Sequence, residues 1–177
     1  MGPGERGRLT MARLKAWGPL SRLGLSMAVV AFALDQAHKW WMLGPFDIKA
    51  KGRVTVTPFL DLVLGWNKGI SFGMLSLNSD LGRYGLIVMS VVISAALWVW
   101  LARTARPLTG AGLGLIIGGA LANALDRIIH SAVADFFLLH AFGYSWYIFN
   151  IADVAIVAGV GVLLYESWAE DRPAPQQ

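Results

Sequence analysis

Long apolar stretches alternate with short polar links along most of the chain. Four of them, residues 20–43, 84–102, 108–127 and 146–165, approach the length needed to cross a bilayer. A helix needs roughly 20 residues to span about 30 Å of hydrocarbon. The pattern therefore predicts a mainly α-helical membrane protein with four transmembrane helices in one domain, residues 20–165.

The segment 44–83 differs in texture from the four stretches. Residues 53–57 alternate in polarity and residues 59–64 form a short apolar run, and both patterns favour β-strands. Asn67 is followed by Gly69, which indicates a tight turn. We predict a small β-sheet on the outer face of the membrane, between helices 1 and 2.

Lys and Arg near the ends of the spans predict the orientation. The N-terminal tail 1–19 is rich in Arg, the second link holds Arg103 and Arg106, and the third link, 131–145, holds neither Lys nor Arg. By the positive-inside rule both termini, including the tail 166–177, are predicted to be cytoplasmic. Four basic residues on the predicted outer side conflict with this rule: Lys49, Lys51, Arg53 and Lys68. We discount them because the segment that carries them is predicted to fold as a subdomain outside the membrane.

Composition supports a membrane protein and excludes several kinds of chemistry. Charged residues make up 15% of the chain, against about 25% in soluble domains. There is no cysteine, which excludes disulfides, thiolate catalysis and iron–sulfur clusters, and the three histidines form no H-E-x-x-H pattern. The basic residues flank apolar stretches rather than forming one stripe, so nucleic acid is not an expected partner. No metal or cofactor is predicted.

The N-terminal part of the chain also imitates a secretory signal peptide. An Arg-rich start, an apolar run and the small residues around Ala31 and Ala33 are typical of one. The apolar face continues beyond them to Leu43, so we predict that this segment is retained as the first transmembrane helix.

One short pattern occurs twice beside apolar stretches, as Asn123-Ala-Leu-Asp126 and Asn150-Ile-Ala-Asp153. In a helix, residues three apart share a face, so each copy presents an amide and a carboxyl to one neighbour. A carboxylate inside a bilayer costs roughly 2.5–3.5 kcal/mol and usually marks function. The repeated pattern predicts a buried carboxyl site.

The predicted topology places four carboxyls in one layer. Asp35 comes late in the first span, Asp126 ends the third, Asp135 lies in the following link, and Asp153 comes early in the fourth. At 1.5 Å per residue, Asp153 would lie roughly 12 Å along the fourth span. All four are therefore expected towards the outer leaflet.

Simpler interpretations remain for each polar residue. Lys39 and Asp35 are spaced for an ion pair, but spacing alone favours a lysine that reaches the interface to anchor the helix. Arg127 is either an interfacial cation or a group that holds a substrate carbonyl. Asp153 alone is compatible with helix packing or a proton relay, and Asp135 alone with an ordinary loop carboxylate.

Two neighbouring carboxyls have a defined chemical capacity. They share a proton, so that one activates water while the other polarises a carbonyl, which is enough to hydrolyse an amide. A serine nucleophile with a lysine base is an alternative that composition leaves open, but Lys39 is the only lysine within the predicted spans that could act as the base. A transporter or proton channel, and a membrane scaffold without catalytic activity, are the rival classes.

Five short stretches, in order along the chain, resemble the lipoprotein signal peptidase (signal peptidase II) family. They are Asp35-Gln-Ala-His-Lys39, Asn67-Lys-Gly-Ile-Ser-Phe72, Gly118-Gly-Ala-Leu-Ala-Asn-Ala-Leu-Asp-Arg127, Val133-Ala-Asp-Phe136 and Phe149-Asn-Ile-Ala-Asp153. Ala122 and Ser131 depart from the resemblance, since the family usually has Gly there. The resemblance covers residues 20–165.

The resemblance implies an aspartic endopeptidase of the bacterial inner membrane, with four spans, cytoplasmic termini and an outer β-cradle. Its expected partners are the bilayer and prolipoprotein signal peptides, cut before a diacylglyceryl-modified cysteine by a monomeric enzyme without a cofactor. The implied catalytic pair is Asp135 and Asp153. The implied supporting and substrate-binding residues are Asp35, Lys39, Asn67, Gly69, Asn123, Asp126, Arg127 and Asn150.

Overall fold

The structure, a computed structural model, describes residues 16–69 and 80–170. Most of both predicted cytoplasmic tails lies outside this range. The helices are α1 Ser21–Leu43, α2 Ile48–Lys51, α3 Asp80–Leu101, α4 Pro107–His130 and α5 Ile151–Glu170. The strands are β1 Val54–Thr57, β2 Leu60–Asn67, β3 Val133–Ala141 and β4 Tyr144–Phe149.

Helix α4 lies at the centre and packs against α1, α3 and α5. Most of it is buried, whereas α3 and α5 expose most of their surface. Its glycines allow this close packing: a Cβ at Gly114 or Gly118 would lie 2.3 Å from the backbone oxygen of Gly24 or Ala28 in α1. Small residues of this kind let membrane helices approach backbone to backbone.

In the part of the chain that the structure describes, three helices, α3, α4 and α5, are long and apolar enough to cross a membrane. Four were predicted. Helix α1 has the required length, 23 residues, but carries Arg22, Asp35 and Lys39. Asp35 and Lys39 belong to the buried stripe of α1, which recurs every three or four residues as expected for a helix with one inward face.

The four strands form one antiparallel sheet in the order β1-β2-β3-β4. The predicted mainly helical fold with a small sheet is therefore confirmed. The sheet is, however, not confined to the predicted segment 44–83 between the first two transmembrane helices. Strands β3 and β4 come from between α4 and α5. The sequence hid β3 because residues 133–136 are all buried, so that no alternation marks the strand.

Helix α5 begins at Ile151, five residues after the predicted start at 146. Residues 146–149 belong to strand β4 instead. An apolar strand that runs directly into an apolar helix gives one continuous stretch, and periodicity cannot separate the two. Asp153 consequently lies in the first turn of α5, and the expected depth of roughly 12 Å along the helix is wrong.

A buried apolar cluster joins the end of α1 to the sheet. Its buried members are Met42, Ile48, Ala134 and Phe136. Because Ala134 and Phe136 flank Asp135 on β3, this cluster fixes the position of that carboxyl relative to α1.

Candidate functional site

Asp135 lies on β3, opposite Gly65 of β2, and is 2% exposed. Its Oδ1 accepts a hydrogen bond of 2.6 Å from Nδ2 of Asn150. Burial and the nearby charge of Asp153 raise the pKa of Asp135 to about 6, against the opposing effect of hydrogen bonds from Asn150 and Asn67. Asp135 is thus a carboxyl that holds its proton more tightly than a solvated one.

Asp153 is fixed by the start of α5. Its backbone N–H donates to Oδ1 of Asn150 at 2.9 Å, and its Oδ2 accepts from the backbone N–H of Asn150 at 3.2 Å. This is a reciprocal capping box, in which the residue before the helix and the third helical residue satisfy each other. The second N-x-x-D pattern is therefore a helix-start motif that also orients a carboxyl.

The first N-x-x-D pattern meets the second across the helix pair α4–α5. Nδ2 of Asn123 donates to Oδ1 of Asp153 at 2.9 Å, and Oδ1 of Asn123 accepts from Nδ2 of Asn150 at 3.2 Å. The same Nδ2 of Asn150 contacts Asp135. The side chain of Asn150 therefore links the two predicted catalytic aspartates to each other and to α4.

Lys39 occupies the layer beneath this amide–carboxyl cluster. Its Nζ lies 2.7 Å from Oδ2 of Asp35 and 2.8 Å from Oδ2 of Asp126, and it donates to Oδ1 of Asn123 at 3.3 Å. Lys39 is 3% exposed. The expectation favoured by spacing alone, a lysine that reaches the interface, is wrong, because two buried carboxylates hold the ammonium inside the bundle.

The two carboxyls that contact Lys39 also accept hydrogen bonds from backbone N–H groups. Oδ1 of Asp35 accepts from the N–H of Ala152 at 2.9 Å, and Oδ2 of Asp126 accepts from the N–H of Ala134 at 3.1 Å. Both are fully or almost fully buried. Each of these predicted supporting residues therefore contacts an element that carries a predicted catalytic aspartate.

The sequence analysis missed Gln36. Its Nε2 donates to Oδ1 of Asp126 at 2.9 Å and approaches the carbonyl oxygen of Ala122 and Oδ2 of Asp35 at 3.3 Å each. The available signal was an amide beside Asp35 in an otherwise apolar helix, where an unpaired amide is costly.

Arg127 is half-buried and faces the carboxyl layer. Its Nη1 donates to the carbonyl oxygen of Asn123 at 3.2 Å, and its charge acts on Asp153, Asp135 and Asp126. Within the described residues, its buried Nε has no hydrogen-bond partner. A guanidinium that contacts α4 backbone and faces three carboxyls is more than an interfacial cation.

Asn67 and Gly69 lie at the end of β2 next to the start of β3. Oδ1 of Asn67 accepts from the N–H of Gly69 at 3.0 Å, and Gly69 has a φ of 115°, which glycine tolerates. Asn67 pairs with Val133 in the sheet. The remainder of this stretch, residues 70–72, lies outside the described residues.

Ser131, where the family usually has Gly, ends α4 with a φ of 61°. This left-handed conformation favours glycine. Arg83 of α3 donates a hydrogen bond to the Ser131 hydroxyl. The turn that leads to Asp135 is therefore formed with serine, and α3 helps to hold it.

The arrangement offers two carboxyls in different surroundings, three amides that contact them and one guanidinium that faces them. Among residues 16–69 and 80–170, no three His, Cys, Asp or Glu side chains cluster as metal ligands.

Comparison with known protein families identifies a match over most of the chain. The family described as Signal peptidase (SPase) II matches residues 27–169. The lipoprotein signal peptidase of Rhodopseudomonas palustris strain CGA009 is 51% identical over 150 residues, which cover 82% of this chain and 92% of that protein. The lipoprotein signal peptidase of Nitrobacter hamburgensis is 50% identical over 151 residues, covering 83% and 92%.

Two solved structures, each described as a bacterial membrane enzyme, are similar in fold. One superposes with a TM-score of 0.70 at 25% identity and covers 88% of this chain and 95% of that chain. The other has a TM-score of 0.72 at 27% identity and covers 85% and 95%. The likeness therefore includes both the helices and the sheet.

Proposed function

Because this chain belongs to the signal peptidase II family, and is thus a peptidase of lipoprotein precursors, we propose that it works as an aspartic endopeptidase. Asp135 and Asp153 form the catalytic dyad. The bond cut is the one before the diacylglyceryl-modified cysteine of a prolipoprotein. The observation that carries the proposal is the junction at Asn150, whose side chain contacts Asp135 while its backbone N–H contacts Asp153.

The different surroundings of the two carboxyls support a division of roles. Asp135, with its pKa raised to about 6, holds the shared proton. Both oxygens of Asp153 accept hydrogen bonds from N–H donors, which fix the orientation of its carboxyl. Asp153 therefore removes a proton from water while Asp135 donates a hydrogen bond to the scissile carbonyl.

The reaction then proceeds by acid–base steps alone. Water adds to the carbonyl carbon, its proton passes to Asp153, and the carbonyl oxygen takes the hydrogen of Asp135. When this intermediate collapses, a hydroxyl proton returns to Asp135, the C–N bond breaks, and the proton held by Asp153 passes to the leaving amine of the cysteine. Arg127, half-buried beside the two aspartates, holds a neighbouring carbonyl of the substrate backbone through its guanidinium.

Helix α1 is proposed to cross the membrane as well, which brings the number of transmembrane helices to four. Within the span, Asp35 and Lys39 lie inside the bundle, whereas Arg22 is exposed in the first turn. The exposed face of the span is apolar, formed by Leu25, Val29, Val30 and Leu34. A helix that hides Asp35 and Lys39 and shows aliphatic side chains suits a lipid environment. Both termini then lie in the cytoplasm, and the protein resides in the inner membrane as a monomer.

The site is proposed to open towards the outer leaflet. Asp135 lies on the sheet, and Asp153 lies in the first turn of α5, directly after β4. The signal peptide enters as a helix from the bilayer, its diacylglyceryl chains remain among the lipids, and the sheet partly covers the scissile bond.

The test is cleavage of a purified diacylglyceryl-modified prolipoprotein by the protein in detergent. The wild type should cut before the lipidated cysteine. Asp135→Asn and Asp153→Asn should each lower the rate by about 10²-fold to 10⁴-fold, because each removes one acid–base group. Asp80→Asn, an exposed carboxyl at the start of α3, is the matched control and should be neutral.

Two results would contradict the proposal. Wild-type protein that leaves the lipidated precursor intact would favour a channel or a scaffold. Cleavage that survives either dyad substitution, or that is lost with a serine-directed reagent, would reject the aspartic mechanism.

A further inference from the structure

We propose that Gln36 is a positioning residue: with Lys39, it joins Asp35 and Asp126 into a brace that sets the distance between the two catalytic aspartates. The brace is defined as Asp35, Gln36, Lys39 and Asp126. The inference rests on the proposed aspartic mechanism and adds a cause for the geometry of its dyad.

The brace holds the chain immediately before each member of the dyad. Asp35 accepts the N–H of Ala152, the residue before Asp153, at 2.9 Å. Asp126 accepts the N–H of Ala134, the residue before Asp135, at 3.1 Å. The chain before each catalytic aspartate is thus held by a carboxyl of another helix, β3 by Asp126 of α4 and the start of α5 by Asp35 of α1.

Lys39 and Gln36 connect these carboxyls from α1. They are three residues apart, so they share a helix face. Lys39 supplies the charge, at 2.7 Å from Asp35 and 2.8 Å from Asp126. An ammonium is a point charge with rotatable donors, so by itself it does not determine which carboxylate oxygen it contacts.

Gln36 determines how the carboxyl of Asp126 is turned. Its Nε2 contacts Oδ1 of Asp126 at 2.9 Å, which leaves Oδ2 for Lys39 and the N–H of Ala134. Asp126 is 2% exposed, so no bulk water replaces a lost donor at Oδ1. Without the amide, the carboxylate would rotate to give Lys39 both oxygens and would release Ala134.

A released Ala134 lets β3 move relative to α5, and the two catalytic carboxyls with it. A displacement of about 1 Å at a reacting group can lower a rate by about 10²-fold. The distance between two carboxyls also sets how strongly their titrations are coupled. A defect in the brace should therefore change both the rate and its pH dependence.

The experiment compares Gln36→Met with Thr109→Val in the full-length protein in detergent. Gln36→Met keeps the length of the side chain and removes its donor. Thr109→Val breaks the hydrogen bond between Thr109 and Glu166, which joins α4 to α5 away from the dyad. Both substitutions remove a polar contact between helices, but only Gln36 is part of the brace.

For Gln36→Met we expect kcat on the lipidated precursor to fall at least about tenfold, with KM within about twofold. The alkaline limb of the pH–rate profile should shift to a different pH. Amide hydrogen exchange at Ala134 and Ala152, followed by ¹⁵N-alanine labelling, should be faster by at least about tenfold. Thr109→Val should lower Tm and leave kcat, the pH profile and both amides unchanged. Gln36→Asn, which keeps a shorter amide, should fold and show part of the effect.

The inference is overturned if Gln36→Met lowers Tm but keeps wild-type kcat, pH profile and amide exchange, because that is what a purely structural contact would do. Failure of the proposed function looks different: Asp135→Asn or Asp153→Asn would retain activity. The amide exchange does not depend on catalysis, so it still decides in that case whether Gln36 holds both segments.

Discussion

At Asp135, a carboxyl is held away from water and beside a second carboxyl, and this makes the stability of the fold depend on pH. The pKa is raised from 3.8 to about 6, so the folded state favours the protonated form. The resulting stabilisation is fully present below about pH 4 and is lost as the pH rises through about 6, in total about 3 kcal/mol.

The side chain introduced by Asp135→Asn is uncharged at every pH, so this variant should lose the pH dependence of stability that Asp135 causes. We expect the variant to be more stable than the wild type at pH 7 and about equally stable at pH 4, since the wild-type carboxyl is itself neutral there. Thermal unfolding in detergent at the two pH values measures the difference. Equal Tm differences at both pH values would show that the burial of a charge at Asp135 is not the cause.

The same titration should appear in catalysis. If Asp135 holds the shared proton, kcat/KM falls as the pH rises above about 6, because the free enzyme then loses that proton. A bound signal helix excludes water, so the corresponding limb of kcat should lie at higher pH. Steady-state rates across the pH range measure both limbs. A kcat/KM that rises through pH 6 would instead assign Asp135 as the base.

Part of the site could be predicted residue by residue. Asn123, Asp126 and Asp153 stand out because amides and carboxyls are rare in apolar helices. Asp135 does not, because its burial depends on the pairing of β2 with β3, in which Gly65 lies opposite it. The position of Lys39 could not be derived from its spacing to Asp35, because the ion pair with Asp126 of α4 decides it.

At the scale of elements, the contact between α1 and α4 aligns the brace. A Cβ at Gly118 would lie 2.3 Å from the carbonyl oxygen of Ala28, which is backbone and cannot move aside. Gly118→Ala should therefore separate the two helices, lower Tm and reduce activity by about tenfold or more. Gly161→Ala is the control, because nothing lies within 4 Å of its added Cβ. Two variants of equal Tm and activity would contradict this account of the helix packing.

The sheet contains an ionic cluster of its own around Asp61. This buried carboxyl of β2 contacts Arg53 and lies 2.8 Å from Nε2 of His140. Hydrogen bonds from Thr55 and Arg53 and the neighbouring positive charges hold the pKa of Asp61 below its usual value of 3.8. Its stabilising effect is therefore present above that value and is lost as the pH falls through the lowered pKa.

Asp61→Asn should consequently lower Tm at pH 7, and the gap to the wild type should close in acid below about pH 4. Differential scanning fluorimetry over this range measures it. Asp47→Asn, at an exposed carboxyl near the same sheet, is the comparison. A gap that persists unchanged in acid would mean that the charge of Asp61 does not stabilise the sheet.

Element boundaries were predictable where composition changes and not where it does not. Helix α4 begins at Pro107, one residue before the predicted start of its span, because the polar link before it is distinct. The border between β4 and α5 carries no such change. That border is set by the capping box of Asn150 and Asp153, and the same two residues also fit a site motif, so the pattern alone does not mark a helix start.

At the scale of the whole molecule, the orientation in the membrane is a prediction that the sequence makes easy to test. The chain has no cysteine, so a single introduced cysteine reports its own side of the membrane. Phe142→Cys lies in the hairpin between β3 and β4, and Ala105→Cys in the link between α3 and α4, and both positions are exposed.

A membrane-impermeant maleimide applied to intact spheroplasts should label Phe142→Cys and leave Ala105→Cys unlabelled until the membrane is opened. Labelling of Ala105→Cys in intact spheroplasts would invert the topology and place the dyad on the cytoplasmic side. The positive-inside rule would then have failed because of the basic residues in the outer segment.

The ion pair within α1 has a consequence for biosynthesis. Asn123 and Ala152, which bind Lys39 and Asp35 in the finished protein, follow them by 84 and 117 residues, so the ribosome delivers them much later. Until then, each of these two charges has the other as its ionic partner within the nascent helix, four residues away. We therefore expect Lys39→Met to hinder translocon insertion of α1, since it leaves an unmatched carboxylate in the lipid, and Asp35→Asn with Lys39→Met together to restore insertion without restoring a working enzyme.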